Sequence, residues 1–157
     1  MIAEELKRFP VVAALAEAEP AALVGGKFDH EELTLEIAAN GIADVCAHLK
    51  NEQKFARLST VTAVDWYPEE PRFEVVYHLH SPERNERLRL KCRLAGANPE
   101  IDSVTVVWRG ANWYERETFD LFGIRFRNHP DLRRIMLPED WESHPLRKDY
   151  PVTGDRV

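Results

Sequence analysis

The sequence predicts an α/β protein of the α+β type, in which helices pack on a mostly antiparallel, mixed sheet and an extended C-terminal arm follows. Three observations support this fold class. Several segments alternate apolar and polar residues, as the strands of a half-buried sheet do. Two other segments repeat apolar residues at helical spacing. After residue 123 neither period continues. We therefore expect an α/β domain over residues 1–123 and an arm over residues 124–157.

The N-terminal third predicts two short helices, two strands and one amphipathic helix. The short helices are expected near residues 2–9 and 11–18, and the strands over residues 21–28 and 32–38. The third helix is expected over residues 42–53. Its apolar side chains recur at positions i, i+3, i+4 and i+7, namely Ile42, Val45, Cys46 and Leu49.

Three strands are then predicted in succession, over residues 57–66, 72–80 and 87–94. The second strand should bury Phe73, Val75, Tyr77 and Leu79 on one face. The third has the clearest alternation of the chain. Its apolar face is formed by Leu88, Leu90, Cys92 and Leu94, and its opposite face by Arg87, Arg89, Lys91 and Arg93. A further short strand is expected over residues 103–107.

A last helix is predicted between Asn112 and Gly123. Asn112 is a favourable N-cap residue, and Glu115 stands three residues later, as a capping box requires. Gly123 is suited to the left-handed residue that commonly ends a helix. One side of this helix carries Tyr114, Thr118, Leu121 and Phe122.

The arm contains four prolines and no repeating period, yet it is not the sequence of a disordered tail. It keeps large apolar residues, which disordered segments lack, and these are Leu132, Ile135, Met136, Leu137, Trp141, Leu146 and Tyr150. A long aperiodic segment with apolar anchors is unusual inside a compact domain. Either the arm packs on something larger than its own domain, which we favour, or it folds back over its own sheet.

Composition limits the classes of function. The chain has 157 residues, a net charge of −6 and a pI near 5.5, which argues against nucleic-acid binding. No apolar run reaches the length of a membrane span, and the N-terminus resembles neither a secretory signal nor a transit peptide. We expect a soluble, cytoplasmic protein that reaches a membrane only through a partner.

We find no catalytic or nucleotide motif. Ser59 lacks a nucleophile elbow, and the Gly25-Gly26 pair is not part of a phosphate-binding loop. His78 and His80 would share one strand face, but no third metal ligand accompanies them, so we interpret them as part of the rim of the sheet. The sequence therefore predicts no cofactor and no metal on this chain.

Four further residues have reactive side chains that could suggest chemistry. Cys46 and Cys92 lie among apolar neighbours and are expected to be buried and reduced, since two distant cysteines cannot form a cluster or zinc framework. His129 and His144 each precede a proline. We interpret them as turn residues that bond to the backbone, with proton transfer as the alternative.

Charge is densest between residues 115 and 149, where seven basic and eight acidic residues alternate with aromatic ones. A solvated surface could have the same charge count. Aromatic residues beside arginine are typical of interface anchors, and arginine–carboxylate pairs fix the register of a contact. We therefore predict a protein–protein interface in this region.

Several stretches of this chain, taken together, resemble the 30-kilodalton subunit family of respiratory complex I, the proton-pumping NADH:quinone oxidoreductase. They are residues 62–65 (TAVD), 73–79 (FEVVYHL), 115–124 (ERETFDLFGI), 129–136 (HPDLRRIM) and 144–151 (HPLRKDYP). The resemblance extends from about residue 32 to residue 151. Ser143 stands where the family usually has glycine.

The resemblance implies a subunit of the hydrophilic peripheral arm that carries no catalytic residue and no cofactor. Flavin and iron–sulfur clusters would lie on partner subunits. The chain would scaffold the subunits of the quinone site, as part of a hetero-oligomer on the cytoplasmic face of the bacterial inner membrane. It would take part in electron transfer from NADH to quinone, coupled to proton translocation, only within the complex.

Fourteen residues of the matching motifs are the predicted subunit-interface residues: Glu115, Arg116, Glu117, Asp120, Gly123, His129, Pro130, Arg133, Arg134, His144, Pro145, Arg147, Lys148 and Asp149. Two alternatives remain open at this point. One is the equivalent subunit of a membrane-bound nickel–iron hydrogenase or related dehydrogenase. The other is a free-standing binding or pH-sensing module.

Overall fold

The computed structural model describes residues 2–154 and has the predicted mixed α+β architecture. The helices are α1 (Pro10–Ala18), α2 (Ile42–Asn51) and α3 (Ala111–Phe122), with short 3-10 helices at Glu4–Arg8 and Ala39–Gly41. The strands are β1 (Leu23–Asp29), β2 (Glu32–Ile37), β3 (Arg57–Asp65), β4 (Phe73–Ser81), β5 (Glu86–Leu94), β6 (Glu100–Asp102) and β7 (Arg125–Arg127).

Five strands form the main sheet in the order β1-β2-β5-β4-β3. Neighbouring strands are antiparallel except for β2 and β5, which pair in parallel. The predicted mostly antiparallel, mixed sheet is therefore confirmed. The strands β6 and β7 form a separate parallel pair.

The inner face of the sheet supplies most of the core. The predicted apolar faces of β4 and β5 are both buried, and Leu79 lies opposite Leu88 while Val75 lies opposite Cys92. The helices α1 and α2 bury their apolar sides in the same core, through Val11, Val12, Leu15, Ile42, Val45, Cys46 and Leu49. Removing this apolar surface from water is the main driving force for the fold.

The predicted strand over residues 103–107 is not formed. A strand lies instead directly before it in the chain, at Glu100–Asp102, and pairs with β7. After it the chain turns, because the N–H groups of Val107 and Trp108 both bond to the carbonyl of Val104. In a strand, Val104 and Val106 would lie on the same face. In the structure Val104 is buried, whereas Val106 is 83% exposed.

The predicted capping box of the last helix is also wrong. Helix α3 begins at Ala111 after Gly110, and no side chain caps its N-terminus. Asn112 lies inside the first turn. Glu115 does not reach back to the helix start; its carboxylate is buried and accepts hydrogen bonds from Ser103 and Val104. The first N–H groups of α3, those of Ala111 and Asn112, instead bond to the carbonyls of Trp108 and Arg109 in the preceding turn.

The arm lies against its own domain along much of its length. Its first residues form β7, and later ones bond to α3 and to the end of β3. This is the arrangement that we considered the less favoured alternative. Packing of the outer side of the arm on partner subunits stays a prediction. Among the described residues, no helix is long and apolar enough to cross a bilayer.

Candidate interaction surface

The C-terminal end of α3 is closed by groups from the arm. The last carbonyls of a helix have no partner within the helix and need donors from elsewhere. The N–H of Gly123 donates to the carbonyl of Phe119 at 2.8 Å. The N–H of Leu146 donates to the carbonyl of Leu121 at 3.0 Å. Arg147 Nε donates to the carbonyl of Phe122 at 2.6 Å.

The remaining carbonyl, that of Asp120, accepts two bonds from arm side chains. His144 Nδ1 donates to it at 2.9 Å, and Arg134 Nη1 donates at 3.1 Å. Two arginines thus stand at the negative end of the helix dipole, where positive charge is favourable. Burial, followed by the charges of Arg147 and Arg134, holds the pKa of His144 below its ordinary value, so this histidine is a neutral donor near pH 7.

The Asp120 carboxylate organises the arm. It is fully buried, pairs with Arg134 at 2.6 Å, and accepts the three successive N–H groups of residues 135–137 at 2.7–3.1 Å. Burial alone would raise the pKa of Asp120, but these hydrogen bonds outweigh it and hold the pKa below its ordinary value. The carboxylate therefore satisfies three backbone N–H groups of the arm, which in a strand would bond to the carbonyls of a neighbouring strand.

Gly123 is required for two reasons. Its φ is +75°, a left-handed conformation that glycine adopts without strain. A β-carbon there would also lie 2.6 Å from Arg147 Nη2 and 2.6 Å from His144 Cδ2. The arm can thus approach the helix end only because this position has no side chain. The predicted helix end at Gly123 is confirmed.

Arg116 fixes the part of the arm that precedes this turn. Its guanidinium donates to the carbonyls of Arg133 and Arg134 at 3.1 and 3.0 Å. The side chain of Arg133 points away and pairs with Asp131 at 2.9 Å, where both side chains are more than half exposed. Of the two adjacent arginines, Arg133 therefore forms an exposed ion pair within the arm, whereas Arg134 pairs with the buried Asp120.

Glu115 and His129 form a buried pair beneath the start of the arm. His129 Nε2 lies 3.9 Å from the Glu115 carboxylate and donates to the carbonyl of Asn112 at 3.1 Å. Burial raises the pKa of Glu115 to about 7, against the opposing hydrogen bonds from Ser103 and Val104. Burial also lowers the pKa of His129. The backbone-bonding roles predicted for both histidines agree with their contacts.

A charged group that sequence reasoning did not assign to the site holds the end of the arm. Arg72 forms a two-point contact with Asp65 at 2.9 Å and bonds to Asp149 at 2.7 and 3.2 Å. The N–H of Lys148 donates to Asp65 at 2.8 Å. The pKa of Asp65 falls to about 2, because the bonds from Arg72, Lys148 and Tyr67 exceed the effect of burial.

The strand pattern contained a signal for this group. Residues 61, 63 and 65 of β3 alternate toward the core, and all three are buried. A carboxylate that continues an inward-facing apolar series requires a cation, because an unpaired buried charge is costly. Asp65 could therefore have been predicted to have a basic partner, although the pattern does not reveal that the partner is Arg72.

The structure brings most of the predicted interface residues together, but largely in contacts within the chain. The residues that join α3 to the arm are Arg116, Asp120, Gly123, Arg134, His144 and Arg147. Lys148 and Asp149 instead join the arm to Asp65 and Arg72 of the sheet region. Glu117 and Pro130 are exposed, and Pro145 lies between two groups that bond to α3. None of these contacts tests binding to another chain.

The outward side of the same region is apolar in places. Around α3 and along the arm as far as residue 146, five large apolar residues are exposed: Val106 (83%), Trp113 (59%), Ile135 (38%), Met136 (64%) and Leu146 (51%). We call these five residues the α3–arm surface. Exposed aromatic and methionine side chains are enriched at protein–protein contacts. This surface is the candidate site.

The structure shows no arrangement suited to metal binding. Within residues 2–154, no group of three or more potential ligands is placed to hold an ion. Cys46 and Cys92 are free and buried, as predicted, and burial raises the pKa of both thiols, that of Cys92 to about 12. Neither thiol is activated for chemistry near pH 7.

Sequence comparison identifies relatives over most of the chain. The family described as "Respiratory-chain NADH dehydrogenase, 30 Kd subunit" matches residues 35–156. An NADH-quinone oxidoreductase subunit of Geobacter sulfurreducens is 49% identical over 124 residues, which is 78% of this chain and 76% of the relative. The NADH-quinone oxidoreductase subunit of the same type from Roseiflexus castenholzii is 45% identical over 149 residues, covering 94% of this chain and 86% of the relative.

Solved structures share the fold at lower identity. A trypsin-resistant fragment (1–134) of Nqo5 is 28% identical, with a TM-score of 0.68, and covers 79% of this chain and 100% of the fragment. A chain from a membrane-bound sulfane sulfur reductase, an archaeal respiratory membrane complex, is also 28% identical. Its TM-score is 0.77, and the match covers 91% of this chain and 85% of that one.

Proposed function

The chain belongs to the family of the 30-kilodalton subunit of respiratory-chain NADH dehydrogenases, and on this premise we propose that it scaffolds the quinone-site subunits of NADH:quinone oxidoreductase. It is a peripheral-arm subunit that takes part in the enzyme's activity only within the complex. The observation that carries this function is the family match over residues 35–156. The hydrogenase alternative is not favoured, because the curated relatives are named as NADH-quinone oxidoreductase subunits.

The α3–arm surface supports the scaffolding role. The backbone of its arm residues Ile135, Met136 and Leu146 is fixed by bonds to Asp120 and to the end of α3 before any partner arrives. A pre-organised surface loses less conformational entropy on binding than a loose one. The arm therefore binds a partner as a rigid extension of its own domain.

The partners in this proposal are the other peripheral-arm subunits, above all those that form the quinone site. The relatives are subunits of a membrane-associated complex, and in this proposal the chain attaches peripherally, through that complex, at the cytoplasmic face of the inner membrane. It carries no flavin and no iron–sulfur cluster, which belong to partner subunits in this proposal. Stoichiometric flavin or iron in the purified chain would contradict that part.

The test changes two exposed side chains of the α3–arm surface to serine, Trp113→Ser and Met136→Ser together. Truncating an interface tryptophan commonly costs about 2 kcal/mol or more of binding free energy. The unfolding free energy of the isolated chain should change by only about 0.5 kcal/mol, because both side chains are solvent-exposed. We expect less assembled complex on native gels, with normal NADH:quinone activity per assembled complex.

Val24→Ser provides the matched control, since Val24 is 53% exposed on β1, outside the α3–arm surface. It should leave the amount of complex unchanged. Full assembly of the double variant with normal turnover would show that this surface binds no partner. Full assembly with slow turnover would instead assign these residues to the quinone chemistry.

A further inference from the structure

The outer face of the main sheet contains a basic groove that the scaffolding surface does not include. Its volume is about 470 Å³, and it opens on β3, β4, β5 and the start of β2. The polar residues that line it are Glu32, Arg57, Ser59, Thr60, His78, His80, Arg87 and Arg89. The groove thus contains three arginines and two histidines against one carboxylate.

The strand register arranges these residues in two rows across the sheet. Arg57 lies opposite His80, which lies opposite Arg87. In the next row Thr60 lies opposite His78, which lies opposite Arg89. Neighbouring strands are about 4.8 Å apart, so Arg57 and Arg87 stand about 10 Å apart on either side of β4. Ser59 is the extra residue at the bulge of β3 between the two rows.

The arginines differ in whether their charge is already neutralised. Arg89 pairs with Glu32 and donates to Thr34. Arg57 and Arg87 are exposed, and within residues 2–154 neither makes an ion pair or a side-chain hydrogen bond. Two uncompensated positive charges therefore face the groove, in a chain whose net charge is −6.

We propose that this groove binds an acidic, extended segment of another subunit, with carboxylates of that segment on Arg57 and Arg87. This inference rests on the proposed function, because the segment belongs to a partner in the same complex. Two carboxylates two or three residues apart in an extended chain span about 7 to 10 Å, which matches the separation of the two arginines.

Charge complementarity and backbone geometry favour this occupant over others. Many small-anion sites use converging backbone N–H groups. The backbones of β4 and β5 are paired on both sides within the sheet, so these two strands present only side chains to the groove. A nucleic acid is disfavoured because the rest of the chain is acidic. An acidic peptide segment needs only the side-chain cations that this face presents.

The experiment places a photo-crosslinking amino acid at Ser59 in the assembled complex. We expect a crosslink to a peptide of another subunit that contains at least two carboxylates within four residues. The double variant Arg57→Glu/Arg87→Glu should lower the crosslink yield per assembled complex about tenfold. If that variant fails to fold, Arg57→Gln/Arg87→Gln provides the same comparison with a smaller expected decrease.

Two controls accompany the test. Arg109→Glu makes the same charge change at an exposed arginine outside the groove and should leave the yield unchanged. The crosslinker at Glu17, exposed on α1, should not capture the same peptide. A crosslink to lipid or to a peptide without carboxylates, or the absence of any crosslink, would overturn the proposal. An unchanged crosslink yield in the Arg57→Glu/Arg87→Glu variant would also overturn it. Absence of the chain from the native complex would instead contradict the proposed function.

Discussion

A few individual residues decide how the arm attaches. Gly123 leaves the space into which Arg147 and His144 fit, and Asp120 gathers three backbone N–H groups of the arm. At the other end, Arg72 connects Asp65 of the sheet to Asp149 of the arm. Asp120, Asp65 and Arg72 are buried and Gly123 lacks a side chain. A substitution at any of these four positions therefore cannot be accommodated by moving a side chain into solvent.

Gly123→Ala should destabilise the isolated protein by about 2 to 3 kcal/mol. About 1 to 2 kcal/mol comes from placing a β-carbon at positive φ, and the rest from displacing the donors His144 and Arg147. Urea unfolding would measure the change. Gly110→Ala is the matched control, because no atom lies within 4 Å of the added β-carbon and its φ is −62°. Equal effects at both glycines would contradict this account.

Arg72→Met should cost about 3 to 5 kcal/mol of unfolding free energy, because it leaves the Asp65 carboxylate buried without its cation. The Asp65 side chain is only 2% exposed. Arg133→Met, at an ion pair that is more than half exposed, should cost about 0 to 1 kcal/mol. Denaturant titration of both variants would test this, and similar losses would show that Asp65 is stabilised by other groups.

At the scale of elements, the sheet and helices could be predicted from local periodicity, whereas the connections between them could not. Alternation located β4 and β5 and identified which face of each is buried. Turns such as that at Val104 depend on a partner distant in sequence, the Glu115 carboxylate, and periodicity contains no information about it. The arm had no period because its backbone groups bond to α3 and to Asp120 instead of to a ladder.

The link between α3 and the preceding turn should make stability depend on pH. Between about 4.5 and about 7, Glu115 binds a proton in the folded protein and releases it in the unfolded chain. The unfolding free energy should therefore fall as pH rises through this window, by about 1 to 3 kcal/mol. Glu115→Gln should remove this decrease, since the amide remains neutral.

The comparison requires the full pH profile of both proteins. His129 and His144 have lowered pKa values, so they contribute stability that rises with pH and partly opposes Glu115. Subtracting the Glu115→Gln profile from that of the unaltered protein isolates the contribution of Glu115. Glu117→Gln, at an exposed position of the same helix, should leave the profile unchanged. A difference profile that is flat from pH 5 to 8 would show that the Glu115 pKa is not raised.

At the scale of the whole molecule, the two outward regions proposed to bind partners are the apolar α3–arm surface and the basic groove of the sheet. The motif residues that composition suggested as interface anchors are mostly used within the chain. Charge count alone could not distinguish an ion pair inside the chain from one between chains. The backbone path of the arm decides which side chains of this region face outward, and binding of a partner there stays a prediction.

Hydrogen exchange should be uneven along the arm. The amides of Ile135, Met136 and Leu137 bond to Asp120, so they should exchange slowly, whereas those of Glu139 and Glu142, which are exposed, should exchange fast. Asp120→Asn should speed exchange at the first three amides, while β4 and β5 keep their protection. Uniformly fast exchange from residue 128 onward would mean that the arm is detached in the isolated chain.

The way in which the arm closes α3 has a consequence for how the two segments tolerate mutation. The acceptors are main-chain carbonyls of residues 119–122, which are present whatever the side chain. The donors His144, Arg134 and Arg147 are side chains that few other residues could replace. In a saturation-mutagenesis library, nearly every replacement at the three donors should remove these bonds, whereas replacements at Leu121 should keep the bond of its carbonyl and cost only its apolar packing against the core.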